Sequence, residues 1–218
     1  MRRPEFIARQ GRRPSGWLGE IVARVMAHET VEANRVALDL LELTARDQLL
    51  EVGFGHGATL RRAAEIVTDG FVAGIDHSDV MLRLAKRRNA RHLKGGRMEL
   101  RRADSERIPY AKGRFNKVFA VHSVYFWSRP ELHLAEIFRV MAPGGRLALG
   151  YHPLEDGRFA SAFPASVYLI RSVKEIETLA GSAGFHDIRT ETRGVSSGLM
   201  AWTVAQNPER RRTGQRDP

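Results

Sequence analysis

In the stretch "LLEVGFGHGATL" an apolar run ends in three glycines, Gly53, Gly55 and Gly57. Glycines so spaced let bare backbone come close to a bound group. Acids are set around them. Glu51 stands just before the first glycine, Asp76 closes the next apolar run, and Asp104 follows the run after that, in "RRADSERIPY". A carboxylate at position 51 attracts an ammonium group and repels a pyrophosphate. Asp76 is placed to bind the hydroxyls of a ribose, and Asp104 to accept from an adenine amino group. Two histidines, His122 and His152, follow later apolar runs. An unperturbed imidazole titrates near neutrality, so both are candidates for taking a proton from an acceptor. Tyr125, Phe126 and Trp127 come directly after His122, placed either to stack on a flat acceptor or to pack beneath the next helix.

These residues need a frame that brings strand ends together. Strand-like runs at 48–52, 71–75, 98–102, 117–121 and 146–150 alternate with helical periods from Ala58, over 79–93 and over 130–141. Such alternation predicts a parallel sheet covered on both faces, an α/β doubly wound fold. Ligands in these sheets bind beyond the carboxyl ends of the strands. Glu51, Asp76, Asp104, His122 and His152 all fall there. Two helices precede the alternation, one carrying Trp17, Leu18, Ile21, Val22, Val25 and Met26 at helical spacing and one over about 32–43. After an aperiodic segment, residues 151–172, a helix stopped at Gly184 leads into "FHDIRTET" and "LMAWTVAQ". These read as a closing hairpin that adds one antiparallel strand. The organisation expected is an arm over 1–16 and one domain over 17–206. Within that domain lie a helical cap (17–47), a cofactor core (48–150), an insertion (151–172) and a C-terminal helix and hairpin (173–206). A disordered basic tail over 207–218 is expected to follow.

The loop alone admits two cofactors. Gly53, Gly55 and Ala58 satisfy the dinucleotide form G-x-G-x-x-G/A, and Asp76 suits the ribose of either a nicotinamide dinucleotide or S-adenosylmethionine (SAM). The long helical lead and Glu51 favour SAM, whose amino group and sulfonium are both cationic.

Composition sets outer limits. A chain of 218 residues with 43% hydrophobic content buries one core. It has no cysteine, which excludes disulfides, thiolate metal sites and cysteine nucleophiles. No apolar run reaches membrane-span length and no signal-peptide core opens the chain, so a cytoplasmic protein is expected. The net charge of +10 raises the question of a polyanionic partner. Yet only five of the 35 basic residues are lysine, and the arginines fall as scattered pairs. That pattern reads as solvated faces, and nucleic acid is not the expected partner.

In order and spacing, these motifs resemble the class I SAM-dependent methyltransferases, in particular the small-molecule branch often labelled type 11. "LLEVGFGHG" resembles the first motif, "VAGIDHSDVM" the second and "RRADSERIPY" the adenine motif. "FNKVFAVHSVYFW" resembles the fourth strand, "EIFRVMAPGGRLALG" the helix, turn and fifth strand, and "RRPSGWLGEIVARVMAHE" the N-terminal cap. The resemblance implies a Rossmann-like sheet of seven strands and a cofactor site of Glu51, Gly53, Gly55, Gly57, Asp76, His77, Met81, Asp104, Ser105 and His122. In that set Met81 packs on the adenine, and His77 shapes its loop. Two positions depart from the family's pattern: Asn116 replaces an aspartate away from the cofactor, and His122 stands where an asparagine is frequent, facing the sulfonium.

The expected activity is methyl transfer from SAM to a small-molecule hydroxyl, whether of a saccharide, a phenol or quinol, or a lipid-linked alcohol. His122 is the leading base candidate, His152 the second and Tyr125 the third catalytic candidate. No metal is called for, and the chain is expected to be a monomer or homodimer. Three alternatives stand beside this reading: an RNA or protein methyltransferase using the basic ends, a nicotinamide oxidoreductase, and a catalytically silent SAM-binding protein.

Overall fold

The computed structural model describes residues 4–14, 30–195 and 198–209. The helix expected around Trp17 to Met26, His28 and the tail past residue 209 lie outside the described residues. Helix α1 (Glu5–Arg12) comes first, then α2 (Val31–Leu41). Strands β1 (Gln48–Val52), β2 (Phe71–Asp76), β3 (Met98–Arg102), β4 (Phe115–Val121) and β5 (Met141–Tyr151) follow. Between them run α3 (Ala58–Ile66), α4 (Asp79–Arg88), α5 (Ala90–Lys94) and α6 (Pro130–Val140). Helices α7 (Gly157–Ala162) and α8 (Val173–Ser182) lead into β6 (His186–Val195) and β7 (Gly198–Gln206). The seven strands form one sheet in the order β3-β2-β1-β4-β5-β7-β6. Only β7 runs antiparallel to its neighbours, wedged between β5 and β6. The expected hairpin therefore closes the sheet as the sequence predicts.

Strand side chains alternate between two cores. Leu50, Val118, Ala120, Leu147 and Leu149 face α6 and α8, where Leu134, Ile137, Ile176 and Ala180 fill the space. Their neighbours Leu49, Phe119, Ala148 and Trp202 face α2, α3 and α4. Trp202 is fully buried, and its Nε1 donates to Ala33 O at 3.0 Å, which ties α2 to the sheet. Burying one such large side chain contributes about 2–3 kcal/mol from area alone. The described part of the expected cap is thus a packing layer.

At the amino end of the sheet, Asn116 accepts from Gln48 N–H at 2.7 Å and donates to Asp47 Oδ1 at 2.7 Å. An aspartate there would face Asp47 as a like charge. The departure at position 116 is far from the carboxyl ends of the strands, as expected.

Some boundaries differ from the reading of the sequence. The helix expected over 79–93 breaks at Asn89, whose buried side chain donates to both Ala85 O and Gly57 O at 2.9 Å. That amide serves the glycine loop rather than the helix. Strand β5 extends back to Met141, paired with Phe115, before the Pro143-Gly144-Gly145 turn interrupts the ladder. The aperiodic insertion holds the short helix α7, started by Asp156 accepting from Phe159 N–H at 3.3 Å. The arm is not loose: Ala8 is buried in the core on the α6 side, and Pro14 O accepts from Ser78 Oγ at 2.8 Å.

Candidate active site

A cleft of about 760 Å³ opens at the carboxyl ends of β1, β2 and β4. That volume is in the range of small-molecule sites. Its floor is the loop after β1, where Gly53 and Gly57 adopt φ of +81° and +75°. At Gly57 a Cβ would lie 2.7 Å from Ala85 Cβ and 2.8 Å from Asn89 Nδ2, and at Gly53 it would collide with Ser123 Oγ. Both glycines are needed for conformation and for space.

The loop's donors are turned inward. Gly53 and Phe54 N–H donate to Ile75 O at 2.8 and 3.4 Å, Gly57 N–H to Phe54 O at 3.0 Å, and Ala58 N–H to His56 Nδ1 at 3.2 Å. Gly55 N–H donates to Asp76 Oδ2 at 2.9 Å. A dinucleotide loop directs such groups at a pyrophosphate. Here they hold the loop and Asp76 together instead.

Asp76 also accepts from Ser78 N–H at 2.9 Å through Oδ1, so both its oxygens are oriented by backbone. Burial raises its pKa, opposed by the Ser78 and Gly55 N–H groups. Glu51 is buried, and among the described residues its Oε2 has no hydrogen-bond partner. Burial, then the charge of Asp76, pushes its carboxyl well above the usual range. An unpartnered buried carboxylate is expensive, and a cationic ligand would offset that cost. The amino group of SAM fits that need, and its ribose diol fits Asp76.

Farther along the wall, Met81 in the first turn of α4 is buried while His77 is partly exposed, its Nδ1 4.0 Å from Asp76 Oδ1. Asp104 lines the cleft from an exposed position, with its Oδ1 accepting from Glu106 N–H at 2.9 Å. Ser105 Oγ lies 2.7 Å from His133 Nδ1, and the His133 ring stacks on Trp127 at 5.0 Å. His133 is buried in the cleft wall, and burial lowers its pKa against the pull of Asp104 and Glu106. The packing of α6 against the loop after β3 brought it there, which no local pattern announces.

His122 ends β4 at φ +58°, an uncommon conformation for a side-chain-bearing residue, with its N–H donating to Gly150 O at 2.8 Å. The half-buried ring lines the cleft. Burial, then the neighbouring His152, pushes its pKa down to about 3. Its Nδ1 lies 3.3 Å from Tyr125 Oη, and that hydroxyl accepts a short hydrogen bond from His152 N–H. Tyr125 and His152 do not line the cleft; they form a buried layer behind His122. The His152 ring, 5.5 Å from that of His122, donates from Nδ1 to Leu199 O at 2.8 Å, with Asp156 Oδ2 at 3.3 Å.

Of the insertion, Ser166 and Val167 line the cleft, whereas Phe159, Phe163 and Tyr168 pack on Tyr125 or on one another. Phe126 and Trp127 line it as well. So do Arg9 and Arg12 from α1 and Arg13 just after it.

Comparison with known proteins adds to this geometry. A family profile described as a methyltransferase domain matches residues 50–149. The chain is 28% identical over 188 residues to the "Uncharacterized methyltransferase YdaC" of Bacillus subtilis (strain 168), covering 86% of this chain and 98% of that one. It is 33% identical over 111 residues to the 27-O-demethylrifamycin SV methyltransferase of Amycolatopsis mediterranei, covering 51% of this chain and 40% of that protein. Among solved structures, a SAM-dependent methyltransferase from Aquifex aeolicus superposes with a TM-score of 0.65 at 24% identity, over 80% of this chain and 89% of that one.

Proposed function

We propose that the chain is a class I SAM-dependent methyltransferase and that it methylates a hydroxyl of a small molecule. The observation that carries this reading is His122, a neutral imidazole in the cleft wall with its Nδ1 facing Tyr125. SAM, when bound, supplies an electrophilic methyl group for in-line displacement. Glu51 binds the amino group of the cofactor, Asp76 its ribose diol, and Asp104 and Ser105 its adenine, with Met81 packed beneath. The loop of Gly53, Gly55 and Gly57 gives the backbone surface against which it lies, shaped at its edge by His77.

Alignment of donor and acceptor is the larger part of the catalysis. His122 adds proton removal. In the productive tautomer its Nδ1–H donates to Tyr125 Oη, which leaves Nε2 as the basic atom. The low pKa makes this a weak base. A weak base suffices, because the hydroxyl proton becomes strongly acidic as the new carbon–oxygen bond forms. Tyr125 and His152 act behind His122 as positioning residues. Two relatives named as O-methyltransferases support oxygen as the acceptor atom.

The test is a screen of hydroxylated acceptors with methyl-labelled SAM. Transfer to oxygen that His122→Ala abolishes supports the reading. Transfer only to nitrogen or carbon acceptors would contradict it.

A further inference from the structure

The cleft wall made by α1 carries charge that cofactor binding leaves unassigned. Helix α1 is held by Ala8, buried midway along it, and just beyond its C-terminus by Pro14 O on the Ser78 hydroxyl. This places Arg9, Arg12 and Arg13 along the cleft. Arg9 is held by Glu5 at 2.7 Å, one helical turn away. Among the described residues the Arg12 and Arg13 side chains form no ion pair or hydrogen bond. The acids of the cleft, Glu51, Asp76 and Asp104, have roles toward the cofactor in the reading above. The cleft also has apolar lining, from Phe126, Trp127 and Val167.

Two guanidinium groups with no partner among the described residues, in one cleft with Phe126, Trp127 and Val167, match a ligand with an anionic end and an apolar body. Guanidinium binds carboxylate and phosphate through paired N–H donors, and both oxyanions present the complementary geometry. We propose that Arg12 and Arg13 bind a carboxylate or phosphate on the acceptor, so that the substrate is a small anionic hydroxyl compound. The proposal rests on the methyl-transfer reading and narrows its substrate class. It also gives α1 a recognition role, since a neutral acceptor would leave both cations without a partner among the described residues.

The experiment uses the full chain saturated with S-adenosylhomocysteine (SAH). Binding of matched pairs is measured by thermal shift and titration: salicylate against salicylamide, mandelate against mandelamide, and glycerol phosphate against glycerol. The expected result is that at least one anion binds about tenfold or more tightly than its neutral twin. The Arg12→Gln/Arg13→Gln variant should lose that preference while keeping its stabilisation by SAH. Equal binding of the twins, or no anion bound, overturns the proposal. So does loss of SAH stabilisation in the variant, because the arginines would then hold the carboxylate of the cofactor. Failure of SAH to stabilise the unmodified protein would instead count against the methyl-transfer reading itself.

Discussion

The wall built by β1 and β2 and the wall built by β4, β5 and the insertion meet at one cleft, but they hold their polar groups by different means. On the first, backbone orients side chains: Gly55 and Ser78 N–H groups fix both oxygens of Asp76, and the glycine loop bonds to itself and to Ile75 O. On the second, side chains orient one another in a buried layer, from His122 to Tyr125 to the His152 backbone, with Asp156 beyond. The first wall suits a ligand of constant shape. The second can be re-tailored by substitution without disturbing the first, which is how one fold serves many acceptors.

If this division is right, changes on the second wall alter turnover and changes on the first alter cofactor affinity. The largest effect expected is from His122→Ala: a fall in kcat of roughly a hundredfold or more, with the Kd for SAH little changed. Full activity in that variant would shift the assignment to His152 or to alignment alone. The pH profile sharpens this. Burial and His152 hold the His122 pKa to about 3, so the ring stays neutral at all higher pH and is protonated only as pH falls through that value. A His122-dependent break in kcat/KM near the ordinary histidine value would contradict that environment.

Next in size is Glu51→Gln on the first wall, expected to weaken SAH about tenfold, as loss of one charged partner does. Stability should move the other way. The folded pKa of Glu51 lies above its unfolded value, so the cofactor-free protein loses stability as pH rises from the unfolded pKa through the raised one. The glutamine variant escapes that loss and should melt a few degrees higher at neutral pH. Equal melting temperatures by calorimetry would show that the carboxylate is not under strain. The smallest effect belongs to Tyr125→Phe. Losing the hydroxyl that His122 and His152 share should lower kcat severalfold, with KM and SAH affinity preserved; a change in SAH affinity instead would blur the two walls.

The two walls were also unequally legible in the sequence. Glu51, the glycines, Asp76 and Asp104 are separated by one strand-and-helix unit each, so local periodicity places them together at the strand ends. His122 was legible for the same reason. His133 and the arginines of α1 were not, since they reach the cleft through packing between elements distant in the chain. Asn89 was hidden differently: its sequence continues a helical pattern, and only the contact with Gly57 O reveals that the helix stops to brace the loop. The burial of Tyr125 and His152 behind His122 likewise depends on how the insertion folds over β4 and β5.

The central claim is that this cleft is a SAM site organised by Asp76. Titration calorimetry of the wild-type chain and Asp76→Ala with SAH, and with NADPH as the contrasting ligand, tests it most directly. The account predicts a saturable heat with SAH, none with NADPH, and affinity for SAH weaker by about a hundredfold in the variant, as expected for losing charged hydrogen bonds. No binding of SAH to the wild type, or an unchanged affinity in Asp76→Ala, would contradict it.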